Sequence, residues 1–396
     1  MKRLIQISII LTLLLLSVGI ASAADEVGVS IDGVQVGFDQ SSGQPFIDEN
    51  SRTQVPFRQT LEAFGATVDW DPDTRTAIAE KGGVIVKVPI GTDYIYMDSL
   101  TVMNDTKSLI KDSRTYLPIR IVLEAFGADV DWDAKTRTVL VKSDGEKLSL
   151  PILAAEATAA MSKIESVDIE VAMGVNISIP SADEKIDVSA SMNISSFFSP
   201  VKQKAVGKFS VNGDDVTVET CTVQKGNTIV SYANQSGAGF EKVLEMDIDE
   251  YYNPFKNVSL SYLFPKFENK GTDTVNGAPT IKLEGKFSKE LLNELLSSEV
   301  FESVLSNVMD ESIALPAADI PVTIWVDAKS KTVTKLSLDM KGFILGFMGS
   351  ILSESIGEDV SGIIGDIVTI DKALFEITLS NFDNATDFEL PANLPE

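Results

Sequence analysis

The chain has 396 residues, and 33 basic against 58 acidic side chains leave a formal net charge of −25. That balance speaks against nucleic acid as a partner, because a phosphate backbone is held by basic patches. The sequence contains no histidine, which excludes Ser-His-Asp and Cys-His catalysis and removes the commonest zinc, copper and non-haem iron ligand.

Lys2 and Arg3, the mostly apolar run from Leu4 to Ile20 and the small residues Ala21-Ser22-Ala23 read as a secretory signal over 1–23, with the mature chain starting at Ala24. No cysteine stands directly after the run, so a lipid anchor is not expected, and cleavage of the signal would leave no retained transmembrane helix. The expected location is extracellular, either free or held at the cell wall.

Residues 51–76 and 113–138 match without a gap, with 18 of 26 positions identical. They form an internal repeat. In each copy a short strand leads into a helix opened by Pro56 or Pro118, where the missing N–H costs nothing. Ile119, Val122, Leu123 and Phe126 recur at helical spacing and predict one apolar face, mirrored by Phe57, Leu61 and Phe64. Gly65 and Gly127 end the helices. Arg58 with Glu62, and Arg120 with Glu124, are four apart and are expected to pair on the exposed side, for about 0.2–0.5 kcal/mol each. Arg52 and Arg114 open the two copies, and Trp70 and Trp132 recur in the hairpins that follow.

The segment DWDPDTRTAIAE raises a calcium question, since Asp69, Asp71, Asp73 and Glu80 stand where a calcium loop places oxygen ligands. Thr74 occupies the position that needs glycine, and the second copy has Lys135 and Lys142 where the first has Asp73 and Glu80. A hairpin turn is the better reading. No metal, cofactor or catalytic residues are expected here. Trp70 and Trp132 read as hairpin packing, with a sugar platform as the alternative.

The stretch SRTYLPIRIVLEAFGADVDWDAKTRTVLV, with its sister copy and the upstream pieces VGVSIDGVQVGFDQ and VIVKVPIGTDYIYMDS, closely resembles the copper amine oxidase N-terminal-like module, or stalk domain. The resemblance implies a small, non-catalytic α/β module over 24–148, with repeats at about 27–82 and 83–145. The oxidase chemistry resides in a separate domain with three histidine ligands and a tyrosine-derived quinone. This chain has no histidine and no Asn-Tyr pair, so that chemistry is not implied.

Residues 149–165 read as a linker and first helix, rich in alanine. From 166 to 396 long alternating runs separated by PSAD, NGDD, KGN and SGAG predict an antiparallel meander with one apolar face. Cys221, the only cysteine, lies in such a run, so no internal disulfide can form and a buried strand residue is expected rather than a reactive thiol. Asp247, Asp249 and Glu250 read as a solvated face or helix start. An amphipathic helix is expected over 288–313, with Ser288 as its N-cap.

Residues 343–368 are strongly apolar but carry Glu354, Glu358, Asp359 and Asp366, which are costly inside a bilayer. Helices plugging a concave sheet are the first expectation. A lid over an apolar pocket at Phe343, Ile344, Phe347 and Met348 is the second, and membrane contact the third.

The order of elements resembles the half-barrel of bacterial lipoprotein carriers and lipid-binding lipoproteins. The fold class expected is α+β, a tandem-repeat stalk followed by a curved antiparallel sheet with helices on its concave face. The function implied is a non-catalytic envelope protein that meets cell-wall polymer or lipid. The alternatives are a purely structural wall-binding protein without a pocket, a carbohydrate binder using Trp70, Trp132, Tyr94 or Tyr96, and an enzyme with a cleft holding two or more carboxylates of shifted pKa.

Overall fold

The computed structural model describes residues 26–145, 147–251, 253–256, 260, 263–288, 319–356 and 364–395. The expected signal at 1–23, most of the helix expected after Ser288, and Glu358 with Asp359 lie outside these residues. The chain divides into two compact units, Met1–Ala155 and Glu156–Glu396.

In the first unit, β1 (Gly28–Ile31) and β2 (Val34–Gln35) precede the first copy, which runs through β3 (Phe46–Ile47), β4 (Thr53–Pro56), helix α1 (Phe57–Ala63), β5 (Thr67–Asp71) and β6 (Thr76–Lys81). Then come β7 (Val84–Pro89), β8 (Tyr94–Met97), β9 (Leu100–Met103) and β10 (Leu109–Lys111). The second copy supplies β11 (Arg114–Pro118), α2 (Ile119–Glu124), β12 (Asp129–Asp133) and β13 (Thr138–Lys142).

Strand pairing crosses the boundary between the copies. β4 and β11 run antiparallel with Val55 opposite Leu117, and Gln54 and Pro56 opposite Pro118 and Tyr116. Val55 thus faces its own repeat counterpart, the mark of a local two-fold axis. β1, from before the first copy, lies parallel to β13 at the end of the second, Gly28 beside Thr138 through Ile31 beside Val141. Asp32 clasps this closure by accepting from the Ser143 amide (2.9 Å) and hydroxyl (2.6 Å). One core results, with Val29, Leu61, Val86, Leu117, Leu123 and Val139 all buried in it.

Both prolines end their strands and sit at the N-cap, one residue before the first helical turn rather than within it. Gly65 and Gly127 take φ of +84° and +81°. Their amides donate to the Glu62 and Glu124 carbonyls, and the next amides, of Ala66 and Ala128, reach back to Leu61 and Leu123. This is a Schellman cap, which needs a left-handed residue at that point. The buried face of α2 is wider than its spacing predicts, because Ile121 is buried beside Ile119, Val122 and Leu123.

Helix α3 (Leu150–Met161) holds the division between the units. The second unit is one antiparallel sheet, curled as a half-barrel. Its strands are β14 (Ser166–Ile179), β15 (Glu184–Phe198), β16 (Val201–Val211), β17 (Asp214–Lys225), β18 (Thr228–Gln235) and β19 (Glu241–Asp247). They are followed by β20 (Glu268–Val275), β21 (Ala278–Phe287), β22 (Ile320–Asp327), β23 (Val333–Asp339) and, after helices α4 (Lys341–Ile356) and α5 (Ile364–Ile367), β24 (Thr369–Ser380). The order across the sheet is β19-β18-β17-β16-β15-β14-β24-β23-β22-β21-β20. The last strand of the chain therefore lies in the middle of the sheet. Asp247 ends β19, and Asp249 and Glu250 fall in a short 3-10 turn.

Thr60 is fully buried and its hydroxyl has no partner among the described residues, while its repeat counterpart is Val122. An unpaired buried hydroxyl costs about 1–3 kcal/mol. Thr60→Val, which keeps the shape and removes the hydroxyl, is expected to raise unfolding stability by about 1 kcal/mol in urea denaturation.

Candidate functional site

The alternation of the second unit sorts its side chains by face. On one face, register places Val218, Gly207, Met192, Val171, Ile377, Leu336, Ile324 and Leu283 in a row across eight strands. A second row beside it runs Val216, Phe209, Ala190, Met173, Phe375, Leu338 and Val322. At about 4.8 Å between strands, the first row spans about 34 Å. Neither row carries a charge. Ile324, Leu283 and Val322 at one end are buried, but Val171, Met173, Met192, Phe375, Ile377, Leu336 and Leu338 remain half-buried, and Phe209 at the other end is 40% exposed. Among the described residues the apolar floor is not sealed.

Helix α4 lies on this face. Ile344 and Met348 pack with Leu345 and Leu352 against a cluster built on Val175, Ile370 and Ala373. Phe343 and Phe347, next to them on the same broad face of the helix, are half-buried and not part of that cluster. The four residues expected to act together as a lid fall within one arc of about 140° on α4, and two of them, Ile344 and Met348, belong to that cluster.

On the same face, two rows beyond the Val171 row, Gln203 donates to the Ser196 hydroxyl (2.9 Å), and Thr222 and Ser231 share a hydrogen bond of 2.9 Å. The opposite face is polar, with Asp168, Glu170, Asn193, Ser195, Lys202, Lys204 and Glu219 at the alternate positions. Asn193 is exposed there. Cys221 is fully buried in β17, and burial pushes its thiol above the usual range.

In the first unit the carboxylates of the calcium question are turned to their own loop. Asp71 accepts from the Asp73 amide and from the Thr74 amide and hydroxyl. Those bonds, the Thr74 hydroxyl first, hold it below the usual carboxylate range. Asp133 does the same with the Lys135 amide and Thr136 hydroxyl. Asp69 and Glu80 are exposed on β5 and β6. No group of three or more metal-binding side chains forms among the described residues.

The aromatic residues weighed as sugar platforms are not gathered into one site. Trp70 is half-buried against the core, Trp132 is 37% exposed in another sheet, and Tyr94 and Tyr96 meet edge to face at 5.4 Å on β8. Arg52 pairs with Asp105, and Arg114 donates to the Ser41 carbonyl (3.0 Å), so both arginines tether loops.

Residues 30–141 and 97–181 match the family model of the copper amine oxidase N-terminal domain. Both matches take in parts of the N-terminal repeats, which are similar to this domain. Nothing in its match reaches the later strands of the half-barrel, since it stops at residue 181 within the second unit. A comparison with curated protein sequences gives no match. Among solved structures, LprF from Mycobacterium bovis is similar at 15% identity, over 62% of this chain and 96% of that one, with a TM-score of 0.32. The lipoprotein LppX of Mycobacterium tuberculosis is similar at 15%, over 61% and 100%, with a TM-score of 0.31. A DUF1329 family protein from Desulfovibrio piger follows at 10%, over 59% and 93%, with a TM-score of 0.20. Scores of this size say nothing about a ligand. No helix among the described residues is long and apolar enough to cross a membrane.

Within the copper amine oxidase N-terminal-like repeats, the two expected helix pairs diverge. Arg58 and Glu62 pair at 3.3 Å, both largely exposed. Glu124 instead accepts from the Ser149 hydroxyl at 2.7 Å, and Arg120 acts on it only as a nearby charge. Burial, the largest influence, pushes the Glu124 carboxyl above its ordinary value of 4.5. The folded state then holds that proton more tightly than the unfolded chain. Stability is highest below the unfolded value and is lost as pH rises through the raised folded value. Glu124→Gln is expected to raise the urea midpoint at pH 7, with the gain vanishing below pH of about 4; urea titrations at both pH values check it.

Proposed function

We propose that this is an exported, non-catalytic envelope protein whose second unit holds an apolar ligand on the inner face of its half-barrel. In this reading the copper amine oxidase N-terminal-like unit attaches or spaces it at the cell wall. The observation that carries the ligand is the unsealed floor. A sheet face used only for packing would be covered along its length, as it is at Ile324 and Leu283. Here the two rows through Val171 and Met173 stay half-buried across the central strands.

An apolar molecule laid along them would be driven by loss of water at about 25 cal/mol per Å² of surface. The length of the rows favours an extended chain over a compact ring system. Phe343 and Phe347, beside Ile344 and Met348 on α4 but outside their packed cluster, would cover such a ligand. The opposite reading, a plug with no ligand, is favoured by the packing of Ile344 and Met348 on the sheet.

Native mass spectrometry of the full chain purified from its own host is expected to show a co-purifying lipid. A fluorescent fatty acid should bind at least 10-fold more weakly to Val171→Glu and Ile377→Glu, and equally well to Ser191→Glu on the outer face. Finding only bare protein, with probe binding indifferent to both inner substitutions, would favour the plug.

A further inference from the structure

The outer face of the second unit carries a groove of about 400 Å³, within the range of small-ligand sites. Its floor is two rows of the sheet. Asp168, Ser195 and Lys204 stand opposite one another across β14, β15 and β16, and Glu170, Asn193 and Val206 form the next row. Its wall is the segment after β24, where Thr386 and Phe388 line the space.

That wall is fastened. Asp168 accepts from the Asn381 amide (2.7 Å) and the Thr386 hydroxyl (2.6 Å), and the Thr386 backbone amide points at the same carboxylate. Lys202 pairs with Asp387 at 2.8 Å and lies 4.4 Å from the centre of the Phe388 ring.

These bonds also use up most of the charge. The oxygens of Asp168 are taken by the strap, and Lys204 is paired with Glu219 at 2.9 Å. What stays on offer is the exposed Glu170 carboxylate, the exposed Asn193 amide, the Phe388 ring, and Val206, which is 46% exposed in a row whose neighbours Asn193 and Glu219 are polar.

We propose that this groove binds an uncharged saccharide. A sugar ring has an apolar C–H face, which suits Phe388 and Val206. It has hydroxyls at its rim, which can donate to Glu170 and both donate to and accept from Asn193. Four carboxylates, at Asp168, Glu170, Glu219 and Asp387, stand against two lysines, Lys202 and Lys204. The excess of negative charge turns phosphate-bearing polymers away. This site shares no side chain with the apolar floor and does not depend on the reading given to it.

The full chain is tested by microarray and calorimetry against neutral gluco-, manno-, xylo- and N-acetylglucosamine oligosaccharides, with polyglycerol phosphate as the anionic comparison. At least one neutral oligosaccharide is expected to bind saturably, and to bind at least 10-fold more weakly to Asn193→Ala and to Val206→Arg. Both residues are exposed and make no contact with the strap's fastenings, and circular dichroism checks that the variants fold. Tyr96→Ala, on the first unit, should bind as the natural chain does. Lack of binding by every neutral oligosaccharide, binding unmoved by both groove substitutions, loss on Tyr96→Ala instead, or preferred binding of polyglycerol phosphate would each overturn the proposal.

Discussion

The second unit depends on one pairing between strands about two hundred residues apart in the chain. β24 lies between β14 and β23, opposing Val171 with Ile377 and Met173 with Phe375 on one side, and Leu336 with Ile377 on the other. Without it the sheet would fall into two pieces, six strands from β14 to β19 and four from β20 to β23. The apolar floor would end at each broken edge, and both new edges would expose unpaired backbone groups. Bringing such distant strands together costs loop-closure entropy before any contact repays it. The many apolar side chains that meet along β14 and β24 are what make the return worthwhile.

The strict alternation of these strands gives the two faces separate chemistry. A shift of one residue in register would exchange them entirely. Because β14 pairs with β15 over fourteen consecutive positions without a break, Val171 and Met173 are held on the inner side while Glu170 and Asn193 are held on the outer. One sheet can therefore present an apolar surface and a polar groove a single backbone layer apart. The strap that forms the groove's wall follows directly from β24, so the same central strand positions both.

In the first unit the analogous constraint is a local two-fold axis between β4 and β11. Symmetry in sequence leads to a symmetric centre, where Val55 meets Leu117. It does not survive to the periphery. The first copy's hairpin is continued by β7 in antiparallel fashion, whereas the second is closed by β1 in parallel. Equivalent residues then find different surroundings. Glu62 remains in water with Arg58, while Glu124 is covered and turns to Ser149. Thr60 keeps a buried hydroxyl where Val122 has a methyl.

The sequence by itself determined the repeat, the helix caps at Gly65 and Gly127, the Asp-led turns, and the long alternating strands from 166 onwards. Each of these is local, set by backbone preference or by a spacing of two or three to four residues. The fate of Glu124 was not legible, since its hydrogen-bond partner is Ser149, twenty-five positions away, rather than Arg120 four positions back. That Ile344 and Met348 join the packed cluster while Phe343 and Phe347 do not was hidden too, because apolar residues lie all round the first turns of α4 and its own pattern names no packed face. Only the tertiary structure decided that β1 closes on β13, that β24 enters the middle of the sheet, and that Val206, Phe388 and Asn193 line one groove. Those are choices of partner between distant segments, and alternation tells which side of a strand is apolar without telling which strand will lie beside it.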